Sequence, residues 1–322
     1  MEKIPVWRTI GSAYGFAFGN LATIIGLIWL PMTILLVVGY FAISHYFDGV
    51  LTAIAHGNRY AAYAGAGYFY LYRIVTLFFE ATIAVSVMRY ALGERDRPSI
   101  VHFATGLAEV RVFAALVAYT LILTTIEIAG FVALRLAGAA IVYGTKIVGP
   151  VDGIAAGTIA VWTVDALLVS FFAGVVFVSI RLSFFLVVLT IVEKRVDLIR
   201  AWELTRGNFW RAVLITLCIG LPTWLVYVGL QFAFVGFAAI GEATGAFSPM
   251  TEQTVGQVQA VTARMRFVLA WLPYLYVAWF LVRPLMLGLS SGAAAAAYRA
   301  LVPGAPAVST PPADGLVPAA IG

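Results

Sequence analysis

Polar residues withdraw from six stretches of the chain, at about residues 21–44, 69–91, 112–134, 160–191, 210–238 and 267–290. Within them apolar side chains occupy every helical face instead of one stripe. Crossing about 30 Å of hydrocarbon at 1.5 Å of rise per residue takes about 20 residues, so each stretch predicts a membrane-spanning helix. The fourth is longer than a perpendicular crossing needs and predicts a tilted one. The expected class is all-α, a polytopic membrane helical bundle of six transmembrane helices arranged as three hairpins.

A different pattern precedes each pair of spans. Residues 6–20, 99–111 and 196–208 are too polar to cross a bilayer and too apolar for a free loop. In the third, Val196, Ile199, Trp202 and Leu204 fall mostly on one arc, while Asp197, Arg200, Glu203 and Arg206 face away. That arrangement predicts cytoplasmic amphipathic helices lying in the membrane interface. The first and third segments end in the same Gly-Asn pair, Gly19-Asn20 and Gly207-Asn208, and Arg89-Tyr-Ala-Leu-Gly93 echoes Tyr298-Arg-Ala-Leu301. Two explanations stand: a triplicated unit, or the rough periodicity of any six-span chain with short connections. The middle segment lacks the Gly-Asn pair. The membrane domain is expected to run over 1–301. Beyond it, 302–322 carries Pro303, Pro306, Pro311, Pro312 and Pro318 and predicts a disordered cytoplasmic tail.

Composition agrees with this pattern. Of 322 residues, 62% are hydrophobic and 11% charged, against roughly half and a quarter in soluble domains. A soluble enzyme is excluded. One Cys and three His supply neither a disulfide framework nor a metal cage, so no metal and no cofactor are expected. The net charge of +5 reads as topology. Lys3, Arg8, Arg89, Arg95, Arg97, Arg111, Lys194, Arg195, Arg200, Arg206, Arg211 and Arg299 fall on one side of the predicted spans. Arg59, Arg135, Lys146, Arg264 and Arg266 fall on the other. Twelve against five places both termini in the cytoplasm. Charges scattered among short loops make no contiguous patch for nucleic acid.

Arg181-Leu-Ser-Phe-Phe, followed by Val192-Glu-Lys-Arg-Val-Asp-Leu-Ile-Arg-Ala-Trp-Glu-Leu-Thr-Arg-Gly-Asn-Phe-Trp210, resembles the bacterial glycerophosphoryl diester phosphodiesterase membrane domain and related uncharacterised six-span proteins. The likeness is concentrated over 175–240. It implies a multi-pass protein of the bacterial inner membrane. In that family the phosphodiesterase chemistry belongs to a separate soluble barrel, and no segment here forms one. The resemblance thus implies a non-catalytic module.

Charge inside the spans marks the candidate sites. Arg73, Glu80, Glu127, Asp165, Arg181 and Arg283 lie within them, and each would cost about 2.5 to 3.5 kcal/mol at the centre of a lone inserted helix. Depth along the helices suggests two pairs, Arg73 with Glu127 and Arg181 with Glu80. Asp165 falls near the external surface. Arg283 precedes Pro284, whose ring frees the carbonyl of Phe280. The candidate ligand site is therefore Arg181 and Arg283 with Glu80, binding an anion, against the alternative that these arginines are only structural. Trp202, Arg206, Asn208 and Trp210 are expected to hold the third amphipathic segment at the headgroups. Gly11, Gly15 and Gly19 suggest a close helix contact. The expected partners are membrane lipids or another membrane protein. The expected function is a non-catalytic module binding lipid headgroups or that partner. A transporter for a small anionic solute is the second reading, and a membrane-embedded lipid enzyme the third.

Overall fold

The computed structural model describes residues 3–56, 59–94, 106–147, 153–245 and 254–302. The expected tail lies outside them from 303 onward. Among the described residues the chain is all-helical: α1 Val6–Gly19, α2 Leu21–His56, α3 Arg59–Leu92, α4 Leu107–Ile147, α5 Gly153–Val192, α6 Leu198–Thr205, α7 Phe209–Gly245 and α8 Thr254–Leu301. Six of these, α2 to α5, α7 and α8, are long and apolar enough to cross a membrane. Their outward Leu, Ile, Val and Phe side chains stay exposed, which water would not tolerate on this scale and lipid does. This is a multi-pass membrane protein.

The helices outrun the predicted spans. α4, with 41 residues, and α8, with 48, reach about 60 and 70 Å at 1.5 Å per residue, well beyond the hydrocarbon core. Two of the expected interfacial segments appear as separate short helices, α1 and α6. The middle one does not. Of its described part, 106–111, all but Gly106 lies in the start of α4, and 95–105 lie outside the described residues. Glu109 explains that start: its carboxylate accepts a 2.8 Å bond from the Gly106 amide, satisfying an orphan donor beside the helix N-terminus.

The chain forms two compact units. The first comprises Met1–Ile34, Ser86–His102 and Cys218–Gly322. In it α1 lies along α8. Buried Ala13 and Ala17 on α1 meet Gly292 and Gly288, where a methyl on either glycine would press into α1 backbone and side chains. Small residues at a four-residue spacing let two backbones approach closely. The expected Gly11, Gly15 and Gly19 contact is not this one, since nothing lies within 4 Å of where their side chains would start. Asn20 makes the corner into α2. Its amide nitrogen donates to the Phe16 carbonyl at 2.9 Å, and its side-chain oxygen accepts the Tyr90 hydroxyl at 2.8 Å. The echoed segments also touch, because Arg299 donates to the Ala91 carbonyl at 2.6 Å.

The second unit comprises Leu35–Val85 and Phe103–Leu217. α4 packs along α5, with Gly130 directly under the Phe171 ring and the Tyr119 hydroxyl 2.6 Å from that of Ser179. The turn from α5 to α6 puts Lys194 at φ 56°. Asp197 then caps α6 by accepting from the Arg200 amide at 2.8 Å. Asn208 opens α7, its carbonyl accepting from the amides of Arg211 and Ala212. The two Gly-Asn pairs thus both sit where a short helix turns into a long one.

Candidate functional site

Arg181, on the half of α5 nearer α6, is surrounded by aromatic faces. Its guanidinium carbon lies 4.4 Å from the centroid of Trp202, 5.0 Å from Phe177 and 5.9 Å from Phe209. The rings brace each other, Phe177 standing 4.5 Å from Phe209 and 6.0 Å, edge-on, from Trp202. Phe177 precedes Arg181 by one turn on the same helix, so their side chains overlap by spacing alone. Trp202 arrives on α6 and Phe209 at the start of α7. The Thr205 hydroxyl donates to the Arg181 carbonyl at 3.3 Å, pinning α6 to the same turn of α5.

A guanidinium over several ring faces is held by their quadrupoles, each contact contributing about 0.5 to 2 kcal/mol. The expected pairing with Glu80 is not the arrangement found. Among the described residues Arg181 makes no ion pair, and its Nε is buried without a hydrogen-bond acceptor. Glu80 is half-buried on α3 and engaged elsewhere.

The other predicted pair is also not formed. Arg73 on α3 and Glu127 on α4 are both exposed and do not meet among the described residues. Depth along a helix leaves its rotation undetermined, and rotation decides which face a charge takes. Asp165 is exposed on α5. Arg283 belongs to the other compact unit. Its guanidinium stacks at 4.9 Å on Trp279 of its own helix, and Trp279 meets Tyr227 edge-on at 5.7 Å. Arg181 and Arg283 thus each rest on aromatic rings within their own unit.

The four residues expected to face headgroups divide. Trp202 turns inward onto Arg181, and Asn208 is buried at the start of α7. Arg206 is exposed, and Trp210 is 79% exposed. Ile199 joins them on the outside of α6 at 73%. Most of the remaining charge near this turn is internally satisfied. Glu193 binds Arg195 at 3.0 Å and Arg200 at 3.8 Å, Asp197 binds Arg195 at 3.4 Å, and Glu203 binds Arg200 at 3.5 Å.

The rings of Phe177 and Phe209 were not singled out from the sequence. The four-residue spacing of Phe177 and Arg181 was the available signal for the first, and nothing local marks the second. Compared with family models, with curated proteins and with solved structures, this chain matches none.

Proposed function

We propose that this chain is a non-catalytic module of a bacterial inner membrane that engages anionic lipid headgroups through its short amphipathic helices. Both termini face the cytoplasm in this reading. The observation that carries it is the stretch from α6 into α7, where Ile199, Arg206 and Trp210 all stand exposed and Arg206 makes no ion pair among the described residues. Exposed aromatic, aliphatic and cationic side chains within one short stretch match the boundary between acyl chains and phosphates. α1 repeats the theme with exposed Trp7 and Arg8. The excess of Lys and Arg on the side bearing these segments supports the orientation. Resemblance of 175–240 to the glycerophosphoryl diester phosphodiesterase membrane domain supports the non-catalytic assignment.

A transporter for a small anion is the second reading, favoured by Pro31, Pro222, Pro273 and Pro284 inside the long helices. Lipid retained through detergent purification, measured by mass spectrometry, tests the first reading. Anionic phospholipid should be enriched over its share of the source membrane, and Arg206→Gln with Trp210→Ala should remove that enrichment. A retained mixture identical to the bulk membrane overturns the proposal. Solute flux in proteoliposomes would favour the transporter instead.

A further inference from the structure

Where the start of α1 meets the last turns of α8, the two helices part around a cavity of about 250 Å³. It is lined by Pro5, Arg8, Thr9, Ser12, Arg299 and two alanines of α8. The walls carry two guanidinium groups and two hydroxyls, and among the described lining residues there is no carboxylate. Thr9 is 1% exposed, yet its hydroxyl has no hydrogen-bond partner among the described residues. The Nε of Arg299 is buried and likewise unpartnered, although another nitrogen of the same group donates to the Ala91 carbonyl. Buried donors left unmade are costly and uncommon in native proteins. They point to a missing acceptor.

The backbone adds to the same field. α1 begins after Pro5 with no side-chain cap and no acidic residue in its first turn. Its free amide groups and the positive end of the helix dipole therefore lie at the Pro5 wall of the cavity. The volume falls below the roughly 300 Å³ at which sites for drug-sized ligands begin, so it suits one compact group. Two guanidinium forks and two hydroxyls offer more donors than a carboxylate can use, and match the several oxygens of a phosphate.

We propose that the α1–α8 cavity binds a phosphate monoester, with Arg8 and Arg299 supplying the charge and Thr9 and Ser12 completing its hydrogen bonds. This rests on the anionic-headgroup reading and deepens it by naming a pocket and a ligand class; the two share Arg8, and the cavity uses none of the α6 or α7 residues. The phosphate has two sources, a membrane lipid such as phosphatidic acid or a soluble metabolite.

The full chain in phosphatidylcholine nanodiscs is titrated calorimetrically with glycerol 3-phosphate. In parallel it is assembled with a low fraction of phosphatidic acid, and the retained lipid is measured by native mass spectrometry. Arg8→Gln should weaken binding about tenfold or more, and Thr9→Val several-fold. Arg8 and Ser12 are exposed, so Arg8→Gln and Ser12→Ala keep the fold even where Thr9→Val, at a buried site, disturbs it. Arg206→Gln with Trp210→Ala should leave cavity binding unchanged while removing lipid enrichment at α6, which separates the two proposals. Binding of glycerol 3-phosphate assigns a soluble ligand, and binding of phosphatidic acid alone assigns a headgroup. No binding in either arm, or binding indifferent to Arg8→Gln and Ser12→Ala, overturns the proposal.

Discussion

The Tyr14 hydroxyl on α1 donates a 2.9 Å hydrogen bond to the carbonyl of Cys218 on α7, one turn before Pro222. In an unbroken helix the residue at 222 would donate to that carbonyl, and proline has no N–H to give. A polar backbone group inside a membrane helix needs another donor, and α1 brings it. The short helix is thereby joined to a long one at the point where the latter is chemically incomplete. α1 is also packed on α8 through Ala13 and Ala17 against Gly292 and Gly288, so two independent contacts hold it inside its unit. A carbonyl already satisfied by Tyr14 is not open to a solute, which weighs against the transporter reading at Pro222.

Tyr14→Phe removes that donor and leaves the ring. The variant should unfold about 1 to 3 kcal/mol more easily, the usual cost of orphaning a buried polar group. Pro222→Ala restores an N–H at the right place, so the Tyr14→Phe penalty should shrink in that background. Thermal or chemical unfolding of the four proteins in detergent gives the coupling as a double-mutant cycle. Equal penalties in both backgrounds would mean that Pro222 is not the reason for the Tyr14 bond.

Trp202 should matter more for position than for exposure. Its ring lies closest to the Arg181 cation, and α6 has only eight residues, too few to be stable alone. Trp202→Ala should let α6 swing free and make the backbone after Lys194, Arg195 and Arg200 open to cleavage by trypsin, whereas Trp202→Phe keeps a ring face and should be cut slowly. Arg181→Met, which keeps the stem without the charge, should fall between them. Cleavage rates equal to wild type in all three would show that the aromatic cage does not hold α6.

The six spans were legible because continuous apolarity over the thickness of a bilayer is a one-dimensional signal. Asp197 as the start of α6 and the corners at Asn20 and Asn208 were similarly within reach, since caps and breaks are local. What the sequence withheld was rotation. Arg73 and Glu127 share a depth and still turn outward, and the Gly11, Gly15, Gly19 stripe faces open space while Gly288 and Gly292 meet α1. The Tyr14 bond spans 204 positions, so no local spacing announces it. Arg181 was singled out for its charge, and its real partners are rings, because aromatic residues are so common here that none stands out by composition.

Gly130 gives a sharper test of helix packing. A methyl there would overlap the Phe171 ring, so Gly130→Ala should destabilise the α4–α5 pair by about 1 to 3 kcal/mol, as overpacking does. Phe171→Ala should relieve it. At Gly138 and Gly174 nothing lies within 4 Å of an added methyl. Alanine at either should be neutral or stabilise by about 0.5 to 1 kcal/mol through helix propensity. Unfolding midpoints of the three single variants measure the contrast directly. A destabilisation shared equally by all three sites would argue against specific α4–α5 contact at Gly130.

The ion pairs at the α5–α6 turn should contribute unequally. The Arg195 side chain is 62% exposed, and pairs that water and salt can screen are worth about 0 to 1 kcal/mol. Arg195→Gln should therefore change stability little, and less still at high salt. Asp197 differs because its carboxylate also accepts the Arg200 amide at the first turn of α6. Asp197→Ala should cost about 0.5 to 2 kcal/mol, while Asp197→Asn keeps an accepting oxygen and should recover most of it even though the charge is gone. Hydrogen exchange at the α6 amides reports this cap without requiring global unfolding. If Asp197→Asn exchanged as fast as Asp197→Ala, the aspartate would be acting through its pair with Arg195, and salt should then abolish the difference from wild type.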